Sequence, residues 1–169
     1  MPDHPLQGFL GDRRRRLLAG ARGRVLDIGT GTVRNLPHYP LGDGATEVHD
    51  VGVDDLGRLE AGSFDTVVCS LVLCTVADQA AVLAAIARLL RPEGGGRLLF
   101  LEHVRLPGVR GMLQAAATPV WSRIGGGCHL DRDTLDALRA AGFAITDCER
   151  SGALVQGIAQ PSRRSSVAR

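Results

Sequence analysis

Long apolar runs are missing from this sequence: none approaches the ~20 residues that a membrane-spanning helix needs. The opening segment, MPDHPLQGFLGDRRRRLLAG, also lacks the order of a signal peptide, in which positive charge comes before an apolar core. We therefore expect a cytoplasmic protein without a transmembrane segment. With 169 residues, 44% of them hydrophobic, and a formal net charge of +2, we expect a single domain over residues 1–160 and a flexible basic tail over 161–169.

Closely spaced cysteines are missing as well. The chain has Cys69, Cys74, Cys128 and Cys148, and no two of them have the Cys-x-x-Cys spacing. Their positions in or beside predicted strands and loops therefore disfavour both a zinc cluster and a disulfide framework. We interpret them as buried, reduced thiols and predict no metal site.

The sequence has no lysine, so all 20 basic residues are arginine, and aromatic residues make up only 4% of the chain. Four arginines are consecutive, Arg13 to Arg16, and such a run can bind phosphate or nucleic acid. No aromatic residues that could stack on bases accompany it, and the net charge is small. Flanking apolar residues at helical spacing predict instead a leading helix whose solvated face carries the arginines, and we predict no nucleic-acid partner.

Short apolar runs alternate with helical patterns along the rest of the chain, which is the order of a mostly parallel sheet with helices on both faces. We therefore predict an α/β, Rossmann-like fold that ends in an antiparallel hairpin. The predicted strands are Arg24–Ile28, one near 46–53, Asp65–Ser70, one near 96–102, Ala144–Glu149 and Ala153–Gln160.

Two of the predicted helices have recognisable ends. Asp78 can cap a helix that the segment RPEGGG stops. Asp131 is the expected cap of the last helix, and Gly142 is its expected end. The stretch before it, through Trp121, shows no regular pattern.

The segment Val25–Leu36, VLDIGTGTVRNL, follows the first strand with a glycine-rich turn. A dinucleotide fingerprint, G-x-G-x-x-G, fails because Arg34 stands at the third glycine position, and a phosphate-binding loop would need G-K-[ST]. Asp27 supplies a carboxylate at the strand end, while Gly29 and Gly31 let a ligand approach the backbone. These residues suit a cationic amino-acid ligand better than a phosphate.

Several separated segments resemble the class I S-adenosylmethionine-dependent methyltransferases, in particular the methyltransferase type 11 group and its methyltransferase-like 7 branch of thiol methyltransferases. These segments are VLDIGTGT, GSFDTVVCSLVLCTVAD, LLRPEGGGRLLFLEHVRLPG and the downstream GCHLDRDTLDALRAAGF. Together, in this order and spacing over about residues 24–160, the segments resemble the family more specifically than any one of them does alone.

The resemblance implies that S-adenosylmethionine is the cofactor and that its methionine part lies among Asp27, Gly29 and Gly31. Ser70 and Leu71, together with the two residues that follow, would form the floor beside the sulfonium. The expected reaction is methyl transfer to a small-molecule nucleophile, with thiol, amine and hydroxyl acceptors all open. Because such transfer depends mainly on alignment, no catalytic residue is assigned.

The sequence also departs from the family pattern. Val33 stands where the family has a third glycine, and only 31 residues separate Gly31 from Ser63. That length is too short for two strand–helix units, so one unit is expected to be missing. A degenerate, non-catalytic relative with weakened or lost cofactor binding is therefore the alternative function.

The missing unit normally supplies the acid that binds the cofactor's ribose, and Asp50 and Asp54 are the candidate substitutes. If the strand at 47–53 lies next to the first strand, Asp54 could reach the ribose. If it is the family's third strand, Asp54 or Asp55 would lie near the adenine. We favour the third-strand interpretation, which leaves a gap in the sheet or a sheet that closes over it.

Two further groups of residues carry possible chemistry. His103 follows Glu102 at a strand end and resembles the family's Glu-His pair, so it is a substrate-side candidate as readily as a structural histidine. Cys128 and His129 could suggest a nucleophile pair or metal ligands. Because adjacent residues rarely point at one centre, we expect a structural role for them.

Overall fold

The computed structural model describes residues 5–29, 35–40, 45–92, 95–124 and 126–162. These residues form one six-stranded sheet in the order β2-β1-β3-β4-β6-β5. The strands are β1 Gly23–Ile28, β2 Ala45–Val51, β3 Thr66–Ser70, β4 Arg97–His103, β5 Phe143–Ser151 and β6 Leu154–Pro161. β1 to β4 pair in parallel, whereas β5 and β6 form an antiparallel pair beside β4. The predicted Rossmann-like sheet with a C-terminal hairpin is confirmed.

Helices cover both faces of the sheet, as expected. They are α1 Pro5–Leu18, α2 Gln79–Leu89, α3 Gly108–Ile124 and α4 Thr134–Ala140. On one face, α2 and α4 pack on the larger core, which includes the apolar side chains of β1, β3 and β4 that point that way. On the other face, the end of α1 packs on Val25, Val68 and Leu99. Alternation along each parallel strand thus gives both faces an apolar surface, as a sheet buried on two sides requires.

The helix caps follow the sequence in one case and differ in the other. The carboxylate of Asp78 accepts the backbone N–H of Ala81 at 2.9 Å and caps α2 as predicted. The predicted cap of α4, Asp131, is wrong, because Asp133 instead accepts the N–H of Asp136 at 3.2 Å. Gly142, with φ of 82°, ends the helix in the left-handed region as expected.

The stretch before Trp121, whose sequence shows no regular pattern, belongs to the 17-residue helix α3. Pro119 lies inside it, and its large apolar side chains are mostly exposed: Val109, Met112, Leu113, Val120, Trp121 and Ile124. The helix therefore has no apolar stripe facing the core, which is the signal that predicts an amphipathic helix. Among the described helices, none combines the length and the hydrophobicity that crossing a lipid bilayer requires.

The arginine run is not confined to solvent, so that prediction is wrong in part. Arg15 and Arg16 are exposed, but Arg13 is buried and donates to Gln156 Oε1 at 3.2 Å. Its Nη2 atom also lies 3.7 Å from a carboxylate oxygen of Glu149. Arg14 is half-buried and points toward the end of β3. Two arginines of the run therefore attach α1 to the sheet.

Of the two outcomes that the third-strand interpretation of the segment near 46–53 allowed, the structure excludes a gap in the described sheet and is consistent with a closed sheet. β2 pairs directly with β1 along its length, from Gly23 opposite Ala45 to Ile28 opposite Val51. The described sheet therefore has no gap beside β1. Between β1 and β3, the described residues form this one strand and two short 3-10 helices, Leu36–His38 and Val53–Arg58. That the chain is shortened relative to its family stays a prediction.

Candidate functional site

Asp27 lies near the carboxyl end of β1 and is only 5% exposed. Asn35 Nδ2 donates to its Oδ1 atom at 3.1 Å, and the hydroxyl of Tyr39 donates to Oδ2 at 2.9 Å. Burial raises the pKa of Asp27, and these two hydrogen bonds oppose the shift. Burial also raises the pKa of Tyr39, so its hydroxyl stays a hydrogen-bond donor at neutral pH. The result is a carboxylate held in place at the edge where sheets of this kind bind ligands.

Asp50 lies opposite Asp27 in the register of β1 and β2. Its carboxylate raises the pKa of Asp27, while the guanidinium of Arg14 lowers it. Gly29 permits the close approach of Asp50, because a Cβ atom built on Gly29 would overlap Asp50 Oδ1. The glycine thus has a packing reason at this position besides any contact with a ligand.

The other two acidic candidates lie elsewhere. Asp54 and Asp55 are exposed in the first turn of the 3-10 helix Val53–Arg58. Asp55 also pairs with Arg58 at 2.6 Å, an ion pair within its own helix. The structure therefore brings Asp50, rather than either of these residues, next to Asp27 and Gly29. Gly31 and Val33 lie outside the described residues.

The end of β3 carries Ser70 and Leu71, the two residues predicted beside the sulfonium. Arg14 Nε donates to Ser70 Oγ at 3.3 Å, which connects α1 to this edge. Leu71 has φ of 59°, the left-handed region that side chains other than glycine rarely adopt. Its N–H donates to the carbonyl of Leu101 at 2.7 Å, so pairing with β4 stabilises the strained residue. Such strain is typical of functional sites.

Glu102 holds the segment that follows Leu71. It is fully buried, and its Oε1 accepts the N–H groups of Val72 and Leu73 at 3.0 and 2.9 Å. Its Oε2 accepts the N–H of Cys74 at 3.0 Å. Burial raises the pKa of Glu102 to about 7, and these backbone hydrogen bonds oppose the shift. The sequence places Glu102 only as the neighbour of His103 and does not reveal this role, because no local pattern indicates it.

Three residues that are distant in sequence meet beside this segment: Cys74, His103 and Cys128. His103 Nδ1 lies 3.2 Å from Cys128 Sγ. Hydrogen bonds from Cys74, then from His103 and the indole of Trp121, lower the pKa of Cys128 against the effect of burial. His129 does not share this centre as a side chain; its backbone N–H donates to the carbonyl of Cys74. Cysteine spacing does not reveal the cluster, because its members come from three separate segments of the chain.

The remaining cysteines differ from each other. Cys69 is buried within β3, as expected, whereas Cys148 is exposed, so the prediction of a buried thiol is wrong there. A cavity of about 270 Å³ lies between α1 and the strands β5 and β6. Its lining contains none of the predicted cofactor-binding residues. A cofactor cleft at the ends of β1 and β3 therefore stays a prediction.

A family model described as a methyltransferase domain matches residues 3–147. The chain belongs to this methyltransferase domain family. It is 35% identical to the human thiol S-methyltransferase TMT1B, in an alignment that covers 79% of this chain and 66% of that relative. It is also 30% identical to the ubiquinone biosynthesis O-methyltransferase of Xanthomonas euvesicatoria, over 94% of this chain and 67% of that one. The chain thus spans slightly less than two thirds of the length of the human thiol methyltransferase.

Solved structures agree on the fold of this methyltransferase domain. A Thermotoga maritima S-adenosylmethionine-dependent methyltransferase, described as a possible histamine N-methyltransferase, matches with a TM-score of 0.63. The match has 19% sequence identity and covers 93% of this chain and 94% of that one. An O-methyltransferase family protein from Burkholderia thailandensis gives a TM-score of 0.62 at 20% identity, over 93% of this chain and 56% of that one.

Proposed function

We propose that this chain transfers a methyl group from S-adenosylmethionine to a small nucleophile, with a thiol as the acceptor. The observation that carries the proposal is the buried carboxylate of Asp27, held by Asn35 and Tyr39 at the carboxyl end of β1. The family match supports the reaction class. The thiol acceptor is supported by the relatives named as thiol S-methyltransferases.

The residues at this edge fit a cationic, hydroxyl-bearing cofactor. Asn35 Oδ1 is buried and has no hydrogen-bond partner among the described residues. Because Asn35 Nδ2 donates to Asp27, this oxygen is an acceptor beside the carboxylate. The two groups together suit an ammonium, which donates three hydrogen bonds and carries the opposite charge. A buried acceptor without a partner is costly, so a ligand donor there would stabilise the site.

Each residue at the edge then has a separate task. Asp27 and Asn35 bind the ammonium of the cofactor's methionine part. Asp50 accepts hydrogen bonds from the ribose hydroxyls, and Gly29 leaves the space that Asp50 needs. Ser70 and Leu71 would form the floor beside the sulfonium, on backbone that pairs with β4. These tasks are binding and orientation, which account for most of the rate enhancement in a bimolecular transfer.

Bound S-adenosylmethionine supplies a methyl group made electrophilic by the positive sulfur that carries it. Asp27, Asn35 and Asp50 would hold the cofactor, which would give up its methyl group to the acceptor sulfur and leave as the neutral thioether. The acceptor's proton is lost to solvent, since a thiol ionises readily near neutral pH. His103, on β4 beside the site, is the candidate for orienting the acceptor.

An assay of methyl transfer tests the proposal. The chain is incubated with methyl-labelled S-adenosylmethionine and either small thiols or phenols matched in size. We expect label in the thioethers, little label in the aryl ethers, and a loss of at least tenfold in the Asp27→Asn variant. Asp136→Asn, which changes an exposed acid on α4, is the matched control and should keep full activity.

Two results would contradict the proposal. Label in the aryl ethers alone would replace the thiol by a hydroxyl acceptor, as the name of the Xanthomonas relative suggests. Absence of transfer to any acceptor, together with absence of cofactor binding, would favour the degenerate, non-catalytic alternative. The short connection between β1 and β3 is the observation that keeps this alternative in view.

A further inference from the structure

The cluster of Cys74, His103 and Cys128 has no role in the proposed binding of the cofactor. Cys74 lies just after β3, His103 ends β4, and Cys128 lies in the connection between α3 and α4. Their ligand atoms, two sulfurs and one imidazole nitrogen, all lie within 4.8 Å of one another. Both cysteines are buried, and His103 is partly buried. Three soft or borderline donors therefore converge in a place largely shielded from water.

The backbone holds this cluster from two sides. Glu102 accepts the N–H of Cys74 at 3.0 Å and so fixes the backbone that carries the first sulfur. The N–H of His129 donates to the carbonyl of Cys74 at 2.8 Å, which fixes the residue next to the second sulfur. Gly127, with φ of 86°, provides the turn that brings Cys128 back to the sheet. The convergence thus depends on three elements fixed by backbone hydrogen bonds rather than on flexible side chains alone.

We propose that Cys74, Cys128 and His103 Nδ1 form a binding site for a thiophilic divalent metal ion, Zn²⁺. Two thiolates and an imidazole are a donor set that Zn²⁺ prefers. Bonds of about 2.3 Å to sulfur and about 2.0–2.1 Å to nitrogen place tetrahedral ligand atoms about 3.5–3.8 Å apart. His103 Nδ1 and Cys128 Sγ, at 3.2 Å, are already close to that separation. Small side-chain movements would complete the geometry.

Three protein ligands leave one tetrahedral position for an exogenous ligand, such as water or a thiolate. Sites with this composition differ from purely structural zinc sites, which use four protein ligands. The alternative is a metal-free cluster in which the same three side chains only hydrogen-bond one another. The zinc proposal is independent of cofactor binding, because it concerns side chains that the cofactor site does not use; it shares His103 with the proposed orientation of the acceptor.

Metal binding by the full chain distinguishes the two possibilities. Untagged protein, kept reduced with a phosphine and stripped of metal with a chelator, is titrated with Zn²⁺ against a chromophoric competitor and, separately, with Co²⁺. We expect one equivalent of Zn²⁺ and a sulfur-to-cobalt charge-transfer band with the intensity of two thiolates. Cys74→Ser, Cys128→Ser and His103→Asn should each weaken Zn²⁺ binding by more than about 100-fold, since even residues that only support a ligand cost 10–100-fold.

Cys148→Ser is the matched control, because it removes an exposed cysteine on β5 outside the cluster. It should bind Zn²⁺ like the wild type. Wild-type protein that binds no stoichiometric Zn²⁺, or that binds Co²⁺ without a sulfur charge-transfer band, would overturn the proposal. Equal Zn²⁺ affinity in wild type and Cys128→Ser would do the same. Because the cobalt spectrum of the wild type counts thiolates directly, the test does not depend on the variants folding.

Discussion

The hydroxyl of Tyr39 donates a hydrogen bond to Asp27 Oδ2 at 2.9 Å, and both side chains are buried beside the carboxyl end of β1. This bond connects the first strand to the described segment 35–40. It also stabilises the ionised carboxylate against the cost of burial. The charge that the site needs for a cation is therefore maintained by a residue twelve positions further along the chain.

Asp27 should make stability depend on pH in a defined direction. Its pKa in the folded chain is raised above 3.8, so the folded state binds more protons than the unfolded state between that value and the folded pKa. The contribution of Asp27 to the free energy of unfolding is then fully present below its unfolded pKa and is lost as the pH rises through its folded pKa. Urea unfolding of wild type and Asp27→Asn at a series of pH values measures this. The difference between the two proteins isolates Asp27 from other groups, including Asp50 and Arg14, which face it from β2 and α1.

Binding of a cation should show the opposite trend, because the ammonium requires the ionised carboxylate. We expect the affinity for S-adenosylhomocysteine to rise with pH through the pKa of Asp27. An affinity that falls with rising pH over that range would contradict the assignment of the ammonium to Asp27.

Two variants distinguish Asp50 from Asp54 as the residue that binds the ribose. Asp50→Asn removes hydrogen bonds to a charged group, worth about 1.5–3 kcal/mol, or roughly 10- to 150-fold in affinity. Asp54→Asn changes an exposed acid on the neighbouring 3-10 helix and should leave the affinity unchanged. Titration calorimetry with S-adenosylhomocysteine makes the comparison. A loss of affinity in Asp54→Asn but not in Asp50→Asn would show that Asp54 binds the ribose instead.

Leu71 should be strained, because φ of 59° brings its Cβ atom close to the backbone. Left-handed conformation costs about 1–2 kcal/mol per residue, and glycine avoids that cost. Leu71→Gly should therefore be more stable than Leu71→Ala by about 1 kcal/mol or more, since both variants lose the same side-chain packing. Chemical denaturation measures the free energy of unfolding of each variant. Equal stability would show that Leu71 is not strained.

Arg13 and Arg15 provide a matched pair on one helix. Arg13→Ala leaves the buried side-chain oxygen Oε1 of Gln156 without this donor. It also removes the contact with Glu149, and together these losses cost about 1–3 kcal/mol. Arg15 pairs only with Asp12 among the ion pairs described, and both side chains are largely exposed, so Arg15→Ala should change stability by less than about 0.5 kcal/mol. Thermal and urea unfolding measure both. Similar losses in the two variants would contradict the buried role of Arg13.

The sequence predicts the centre of the sheet well because β3 and β4 are buried on both faces and therefore read as nearly continuous apolar runs. The start of α2 is also predicted well, because Asp78 caps it through a contact with Ala81 that depends only on the local sequence. α3 is missed because its apolar side chains do not face the core, and Asp131 is misassigned because Asp133 offers the same chemistry two residues later. The error at Arg13 has a different origin: only the hairpin β5–β6, distant in sequence, supplies the partners that bury it.

The residues of the candidate site also fall into two groups: those that a local sequence motif indicates and those whose contacts depend on the folded chain. Asp27 and Gly29 follow from a local motif, and the structure places both at the strand end. Asn35 and Glu102 act through contacts that depend on the folded chain, so no short pattern indicates them. The contacts of Asp50 depend on which strand lies next to β1, and the sequence left that neighbour undecided.

The most direct test of the central claim is titration calorimetry of S-adenosylhomocysteine with wild type, Asp27→Asn and Asp136→Asn. The account predicts binding by wild type and by Asp136→Asn, and an affinity at least tenfold lower for Asp27→Asn, because the ammonium loses its charged partner. Equal affinity of wild type and Asp27→Asn, or no binding by folded wild-type protein, would contradict it.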